Sequence, residues 1–426
     1  MSKFRLLHTS DWHIGQVLHE QPREYEHQFF LDWLVSLLEA EQISALLVAG
    51  DIFDGPNPTA VSQQIFYKFL ATAKTRLPHL EIVILGGNHD SAARLDAPHP
   101  VLSAFGVHVV GGLRRTEAGF LETDRCLVTL HGPDGNPAAY LAAVPYLRPG
   151  DLPLCPNDED GDLRLVESIS SIYRPICEEA INRAGADKAA LAAGHLYLTG
   201  CQLSELSERK IQNGYLAALP ADIFCTGLSY IALGHLHLAQ SVTEKIHYSG
   251  SPLPLSFAES SYNHRVLIAE FDGPELVELR SIPVPRPVQM LRIPEDGPRP
   301  PEQVLKEIQQ LESLEGRDPL SPTRPYLEVR VRLERPRPTL REEISRALDD
   351  KWPRLLKITP DYGPREHSLA SSSPARGLDE LNHEEIFRSC YRRKYVSADS
   401  ILNEPSDELM AAFRCLWEEQ ERGEVQ

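Results

Sequence analysis

Carboxylate, imidazole and amide side chains recur at one kind of position in this 426-residue chain, directly after short apolar runs. The clearest run spans residues 46–54; it reads as a strand buried on both faces and stops at Gly50-Asp51. A carboxylate at the carboxyl end of such a strand points into the crevice where α/β proteins bind ligands. Similar side chains follow other apolar runs: Asp11, His13, Asn88, His89, Asp90, His195, His235 and His237. This recurrence predicts a metal site.

A site for two divalent ions needs oxygen ligands, imidazoles, one shared carboxylate and open positions for water and substrate. Asp51 is the natural shared carboxylate, and Asn88 can contribute its amide oxygen. Asp11 and His13 alternate along the chain, so both reach one ion only if the strand has ended and the loop curls. Taken singly, each histidine is more often a structural residue, and only the ordered recurrence favours a metal pair. Such a pair clamps a phosphate and lowers the pKa of a bound water.

The elements that must position these residues alternate between strand and helix up to about residue 110. Apolar runs at 4–7, 45–49, 82–85 and 107–110 predict strands, and periodic segments at 23–40 and 60–75 predict helices. Further strands are predicted at 126–130, 140–144, 189–193 and 230–233, with a helix at 165–184. Strands at 240–242, 246–248, 266–271 and 276–282 follow with short connections, as in an antiparallel sheet. We therefore predict an α/β fold of two packed sheets flanked by helices.

A proline-rich stretch at residues 283–287 marks a domain boundary. Residues 1–284 are predicted to form the metal-binding domain, and residues 285–363 a small α+β cap domain. Residues 364–378 are rich in Ser, Pro and small side chains, which is typical of a linker. Two amphipathic helices are predicted within residues 379–426. Because they follow a linker and have little core to join, their apolar faces favour binding to a partner.

The chain resembles the calcineurin-like metallophosphoesterases in five motifs that occur in the family's order: Asp11-x-His13, Gly50-Asp51, Gly87-Asn88-His89-Asp90, Gly194-His195 and Gly234-His235-x-His237. It further resembles the SbcD nuclease subunits of bacterial SbcCD complexes in three stretches: Trp12-His13-Ile14-Gly15-Gln16, Asp90-Ser91-Ala92-Ala93-Arg94-Leu95, and His195-Leu196-Tyr197 with Ser207-Glu208-Arg209. The resemblance covers residues 1 to about 285 by motif and the remainder by layout. It implies a two-sheet phosphoesterase sandwich.

Residue by residue, the resemblance implies the following ligands: Asp11, His13, Asp51 and His237 for one ion, and Asp51, Asn88, His195 and His235 for the other. His89 is implied to face the phosphate, where it stabilises the transition state or protonates the leaving oxygen. Asp90 is expected to orient His89. The implied ions are two Mn²⁺, with Mg²⁺ or a mixed site left open by the ligand types.

The activity implied is that of a Mn-dependent nuclease, a 3′–5′ exonuclease on double-stranded ends and an endonuclease on single strands and hairpins. The implied partners are DNA and an SMC-like ATPase, the SbcC subunit, with a homodimer of this chain inside a heterotetramer. The implied setting is DNA repair, recombination and replication-fork processing. The locally basic segment 324–357 favours DNA contacts at Arg330, Arg332 and Arg335, although a solvated surface explains it nearly as well.

Composition limits these interpretations. A formal charge of −18 argues against non-specific wrapping of nucleic acid, but it does not exclude a nuclease. The seven cysteines are scattered and form no CxxC, which favours a reduced, cytoplasmic compartment. No segment resembles a signal peptide or a membrane span. Two rivals remain: a cyclic-nucleotide phosphodiesterase or phosphatase, which needs no cap, and a non-catalytic scaffold, which needs no intact ligand set.

Overall fold

A computed structural model describes residues 3–116, 121–152, 161–202 and 218–363, and nine further positions: 387, 388, 391, 405, 406, 409, 410, 412 and 413. The chain divides into two compact units, Met1–Asp361 and Tyr362–Gln426. The linker predicted at 364–378 lies outside the described residues. The boundary predicted between 284 and 285 falls inside the first unit, and it stays a prediction.

The strands and helices are numbered in chain order. The strands are β1 Phe4–Thr9, β2 Val17–Leu18, β3 Gln21–Pro22, β4 Ala45–Val48, β5 Glu81–Leu85, β6 Val107–Val110, β7 Leu127–His131, β8 Pro137–Ala143, β9 Ala189–His195, β10 Tyr230–Gly234, β11 Gln240–Ser241, β12 Ile246–Tyr248, β13 Arg265–Asp272, β14 Glu275–Pro283, β15 Met290–Ile293, β16 Tyr326–Arg332 and β17 Arg354–Asp361. The helices are α1 Glu24–Ala40, α2 Ala60–Arg76, α3 Ala92–Asp96, α4 His99–Leu102, α5 Gly161–Ala184, α6 Pro301–Gln309 and α7 Leu340–Ala347.

Two six-stranded sheets form the body of the first unit. Their strand orders are β14-β13-β1-β4-β5-β6 and β11-β12-β10-β9-β8-β7. Within the first sheet β1, β4, β5 and β6 run parallel, and within the second β8, β9, β10 and β12 do. The predicted α/β fold with two packed sheets is therefore confirmed.

The four strands predicted to share an antiparallel sheet form two antiparallel pairs in different sheets. β11 and β12 pair at the edge of the second sheet, where β12 runs parallel to β10. β13 and β14 pair in the first sheet, where β13 lies antiparallel to β1. Short connections and alternation identify a hairpin, but they do not reveal which sheet its inner strand joins.

Alternate residues of the first sheet enter two different cores. Leu6 and Leu47 point into the core between the two sheets. Leu7 and Leu46 point to the other face, where α1 and α2 cover them with apolar side chains such as Phe30. Because successive strand residues face opposite sides, strands buried on both faces appear in the sequence as uninterrupted apolar runs. This double burial fixes the strand ends that carry the polar motifs.

Residues 285–363, called the cap region from this point, contain a three-stranded sheet in the order β15-β16-β17. All three strands are parallel, and α6 and α7 form the crossovers between them. Apolar residues of β16, including Val329 and Val331, pack against Val304 of α6 and Ile344 of α7. The predicted strands and helices are present, and the structure adds the parallel direction of the strands.

In the second unit the described positions near 387 and 410 are helical, as predicted. The rings of Phe387 and Phe413 stack with centroids 4.3 Å apart, so the two predicted helices contact each other. Within the described part of the chain, no helix combines the length and apolar character that a membrane span requires.

Candidate metal centre

The predicted site residues come together where the carboxyl ends of both sheets meet. The loops after β1 and β4 are joined by backbone hydrogen bonds, from Asp11 N to the Gly50 oxygen and from His13 N to the Asp51 oxygen, both 3.0 Å. In the second sheet Gly234 lies in register with His195, so the ends of β9 and β10 are level. Parallel strands thus deliver their polar termini to one edge.

Four residues of this edge have a left-handed backbone. The φ angles are 54° for Asp11, 47° for His13, 52° for Asp51 and 100° for His235. Such values are uncommon outside glycine, and they persist where the surrounding structure enforces them, often at functional sites. β1 ends at Thr9, and the loop after it curls. This is the condition under which Asp11 and His13 can reach one ion.

Two motif glycines leave room that the centre needs. A Cβ atom on Gly50 would lie 2.2 Å from Nδ1 of His195, and Gly50 also has a φ of +96°. A Cβ atom on Gly87 would lie 2.1 Å from Oδ1 of Asp51. Any larger residue at either position would displace a proposed ligand.

Asp51 lies between two imidazoles. Its Oδ2 is 3.4 Å from Nε2 of His195 and 3.6 Å from Nε2 of His13. Its Oδ1 accepts a hydrogen bond from the backbone N–H of His89 at 2.8 Å. Burial opposes ionisation of Asp51, yet the neighbouring His195 and His13 hold its pKa well below the usual range. A carboxylate in this position can bridge two cations.

Asn88 is the meeting point of a second group. Its Oδ1 lies 2.9 Å from Nε2 of His195 and 2.9 Å from Nδ1 of His235. Nδ1 of His195 lies 2.8 Å from the Ala49 carbonyl oxygen. Because that nitrogen must donate its proton to the carbonyl, Nε2 is left free to bind a metal.

A third group gathers around Asp11. The nearest donor atoms of Asp11, His13 and His237 all lie within 4.8 Å of one another. The Asp11 carboxylate accepts hydrogen bonds from the His235 N–H at 3.0 Å and from the Ser10 hydroxyl at 2.5 Å. These bonds fix the carboxylate facing the two histidines.

Opposite electrostatic effects act on neighbouring imidazoles. Burial by itself lowers the pKa of His195, but the Asp51 charge raises it to about 9. For His235, burial and the adjacent His195 lower the pKa to about 3. A protonated His195 thus balances the Asp51 carboxylate in the protein without metal. A divalent cation bound there would replace that proton.

Unsatisfied buried nitrogens supply the test of whether a metal fits. Both ring nitrogens of His13 and Nε2 of His235 are buried without a hydrogen-bond partner among the described residues. Buried polar atoms almost always have partners, since leaving one unpaired costs about 1–3 kcal/mol. Carboxylate oxygens, an amide oxygen and imidazole nitrogens surround the same space. The donor set therefore fits divalent metal ions.

His89 lies beside this donor set and is partly exposed, unlike the buried His13 and His195. Its Nδ1 is 2.9 Å from the carbonyl oxygen of Asp54. Its ring meets that of His13 edge-on, with centroids 4.8 Å apart. A ring held by a backbone carbonyl at Nδ1 keeps Nε2 for substrate.

Asp90 does not orient His89, contrary to the sequence-based expectation. Its carboxylate accepts three backbone N–H bonds, from Ile52 and Phe53 at 3.0 Å and from Gly87 at 2.9 Å. The residue after His89 in the motif therefore ties the loop after β5 to the loop after β4. The group that fixes Nδ1 of His89 is the Asp54 carbonyl.

The family comparisons agree with this geometry. The calcineurin-like phosphoesterase family matches residues 4–238. A curated protein from Rhodobacter capsulatus, named as the SbcD subunit of the nuclease SbcCD, is 38% identical over 392 residues, covering 91% of this chain and 94% of that protein. This chain belongs to the SbcD family of calcineurin-like phosphoesterases.

Other members of the SbcD family and a second domain match extend this similarity. The Escherichia coli K12 protein of the same name is 31% identical over 398 residues, covering 90% of this chain and 91% of that protein. The Bacillus subtilis protein of that name is 33% identical over 269 residues, covering 62% and 66%. A family described as type 5 capsule protein repressor C-terminal domain matches residues 286–395. The similarity therefore extends beyond the metal centre.

Two residues beside the centre were missed in the sequence. Tyr146 and Arg148 follow β8, which lies next to β9 in the second sheet. The Tyr146 ring lies edge-on to His195, with centroids 6.1 Å apart, and Arg148 donates to the Asp90 carbonyl oxygen at 2.7 Å. The strand-end pattern that identified His195 also applies to Tyr146, so a signal for it existed.

The three arginines predicted to contact DNA differ in their surroundings. Arg330 donates to the Glu295 carbonyl oxygen at 2.6 Å and to that of Pro294 at 3.1 Å, so its guanidinium holds a loop. The Arg332 side chain is 60% exposed and lies 3.5 Å from an Asp361 oxygen. Arg335 is exposed just beyond the strand. DNA contact by all three stays a prediction.

Proposed function

We propose that this SbcD family member is a Mn-dependent DNA nuclease that hydrolyses phosphodiesters at a two-metal centre. One ion would be held by Asp11, His13, Asp51 and His237, and the other by Asp51, Asn88, His195 and His235. The observation that carries the proposal is the Asp51 carboxylate placed between His13 and His195. The unpartnered buried nitrogens of His13 and His235 support it.

Two divalent ions bound there polarise a phosphate and lower the pKa of a bound water. The chain's own residues provide the rest of the mechanism. Ala49 and Glu259 fix the Nδ1 atoms of His195 and His237. His89, held through Nδ1 by the Asp54 carbonyl, offers Nε2 to the phosphate or to the leaving oxygen. Its ring position beside His13 supports this assignment.

We further propose DNA ends and hairpins as substrates, with 3′–5′ exonuclease and single-strand endonuclease activity. The relatives' name, as SbcD subunits of the nuclease SbcCD, supports both the substrate and a complex with an SMC-like ATPase, SbcC. The helices of residues 379–426 would bind that ATPase, and a homodimer of this chain would form the centre of a heterotetramer in the cytoplasm. The work of the complex would be DNA repair, recombination and replication-fork processing.

The deciding experiment uses the full chain with Mn²⁺ on end-labelled duplex DNA, with and without the ATPase partner. Bis-nitrophenyl phosphate and a cyclic nucleotide are assayed in parallel. We expect DNA shortening that requires metal and increases with the partner and ATP. Hydrolysis of the small esters with intact DNA would instead establish the small-molecule phosphodiesterase. Absence of metal binding and of hydrolysis would leave the scaffold.

A further inference from the structure

The short 3-10 turn Phe257–Ser261 has one residue at the metal centre and another packed against the cap region. Glu259 of this turn is fully buried, and its Oε1 lies 3.1 Å from Nδ1 of His237. Phe257 of the same turn is buried with residues of the cap region. The turn therefore touches both the proposed ligand His237 and the cap region.

The contact between Glu259 and His237 determines which nitrogen of the histidine can bind metal. A buried carboxylate accepts the Nδ1 proton, which leaves Nε2 unprotonated and fixes the plane of the ring. The second carboxylate oxygen of Glu259 accepts the Leu255 N–H at 2.8 Å, so the carboxylate cannot turn away. His237 is thus held by a side chain of a separate element.

The segment before the turn is anchored from the α1 side. The Gln16 side-chain amide donates to the Leu255 carbonyl oxygen at 2.6 Å, and the buried Arg23 donates to that of Pro254 at 2.6 Å. Arg23 is itself fixed by a bidentate contact with Glu26. These bonds restrict sliding of the segment, so a displacement of Phe257 is expected to reach Glu259.

The other end of the turn belongs to a small apolar cluster. Its buried members are Leu18, Phe257, Val288, Met290 and Tyr326. Met290 begins β15 and Tyr326 begins β16, and these two residues are paired in register. Close-packed clusters transmit displacement because they contain little free volume. A shift of the cap strands is therefore expected to move Phe257.

We infer that the turn Phe257–Ser261 is a positioning link through which the packing of the cap strands sets how tightly His237 holds its metal ion. This inference rests on the proposed function, which makes His237 a ligand of one ion only. It assigns Glu259 a positioning role, since Glu259 acts through His237 and not on substrate.

The test is calorimetric titration of Mn²⁺ into the metal-stripped full chain. Glu259→Gln keeps the side chain's size but presents an N–H₂ group to one of its two donors, so we expect one ion to bind about 10–100-fold more weakly. Met290→Ala leaves a cavity against Phe257, and we expect the same ion to bind about fivefold more weakly. The affinity of the other ion should stay as in the parent.

Two matched variants control for general destabilisation. Glu270→Gln alters another buried carboxylate, one that pairs with Lys3 and Arg5 and is in register with the first residues of β1. Leu340→Ala leaves a cavity in the other apolar cluster of the cap region, between α6 and α7. Both controls should lower the melting temperature without changing either Mn²⁺ affinity.

Unchanged Mn²⁺ binding in Glu259→Gln, with one ion lost in His237→Ala, would overturn the link and leave the proposed function standing. Equal effects of Met290→Ala and Leu340→Ala on Mn²⁺ affinity would also overturn it. If His237→Ala retains both ions, the ligand assignment and the link both fail. Should Glu259→Gln not fold, the comparison of Met290→Ala with Leu340→Ala decides the question.

Discussion

The metal centre and the cap sheet hold their polar side chains in opposite ways. At the metal centre the side chains are buried, and Asp11, His13 and Asp51 have strained backbones. On the cap sheet Arg332 extends from a regular strand, 60% exposed and beside Asp361. Backbone strain and unpaired buried nitrogens are costly, so they indicate a position that chemistry requires. An exposed arginine costs little and contributes charge without exact placement.

These two regions should respond differently to substitution. A buried centre with shared ligands should fail when one atom changes, because each ligand supports its neighbours. A charged surface should weaken gradually, because each arginine contributes one screened interaction. Substitutions in both regions measure this contrast, beginning with the largest effect.

The largest effect is expected at Asp51. Asp51→Asn should lower Mn²⁺-dependent cleavage by about a thousandfold or more, because several kcal/mol of transition-state stabilisation depend on the bridged ions. Elemental analysis should show that both ions are weakened together. Asp272→Asn, an exposed carboxylate at the end of β13, is the matched control. Two tightly bound ions in Asp51→Asn would rule out the bridging role.

His89 should separate catalysis from metal binding. His89→Ala is expected to keep both ions and the melting temperature but to lose about 10²–10⁴-fold in cleavage rate, the range for a general acid. The reason is that His89 contacts the Asp54 carbonyl and the His13 ring but is absent from the proposed ligand sets. His79→Ala tests whether loss of any surface imidazole matters. A collapse of metal content in His89→Ala would make His89 a ligand.

Many features of the centre could be predicted from the sequence because strand ends obey a simple rule. Asp51, Asn88 and His195 each follow a buried apolar run, and the parallel sheets bring those ends together. Glu259 carries no such signal, because it reaches His237 from a turn that only tertiary packing brings near. Asp90 was assigned by adjacency to His89, and the chain's curvature directs its carboxylate to other loops.

The fold shows the same limit. Alternation identified the strands β11 to β14, yet the choice of sheet depends on which neighbour offers a free edge, and no local pattern encodes that. Similarly, the spacing of Arg330 and Arg332 correctly places them opposite the buried Val329 and Val331. It could not show that carbonyl oxygens already occupy the Arg330 guanidinium.

A smaller effect is expected on the cap sheet. Arg332→Glu combined with Arg335→Glu should weaken binding of duplex DNA and lower the log–log salt slope by about 2, one unit for each phosphate contact. Hydrolysis of bis-nitrophenyl phosphate should stay unchanged, because that substrate needs only the metal centre. Arg330→Glu is kept separate, since its loss would also free the 294–295 loop.

A matched charge reversal on the other side of the cap sheet controls for net charge. Arg341→Glu with Arg346→Glu changes the same number of charges on α7, which covers the face opposite Arg332. If both pairs reduce duplex binding equally, the effect comes from overall charge, and the cap face has no special role. An unchanged salt slope in Arg332→Glu, Arg335→Glu would remove this face from DNA binding.

The smallest effect on cleavage is expected from removing the chain after residue 377. The proposed metal ligands and His89 all lie before this point, and the first compact unit ends at Asp361. Metal content and Mn²⁺-dependent cleavage by the isolated protein should therefore match those of the full chain. Binding to the ATPase should be lost, because the helix pair marked by the stacked Phe387 and Phe413 is removed. Size-exclusion chromatography of the mixed proteins measures this. Replacing Leu409, which is partly exposed, with Glu in the full chain is the finer variant, since it leaves that ring pair in place. Co-elution of the truncated chain with the ATPase in equal amounts would transfer the partner-binding role to the first unit.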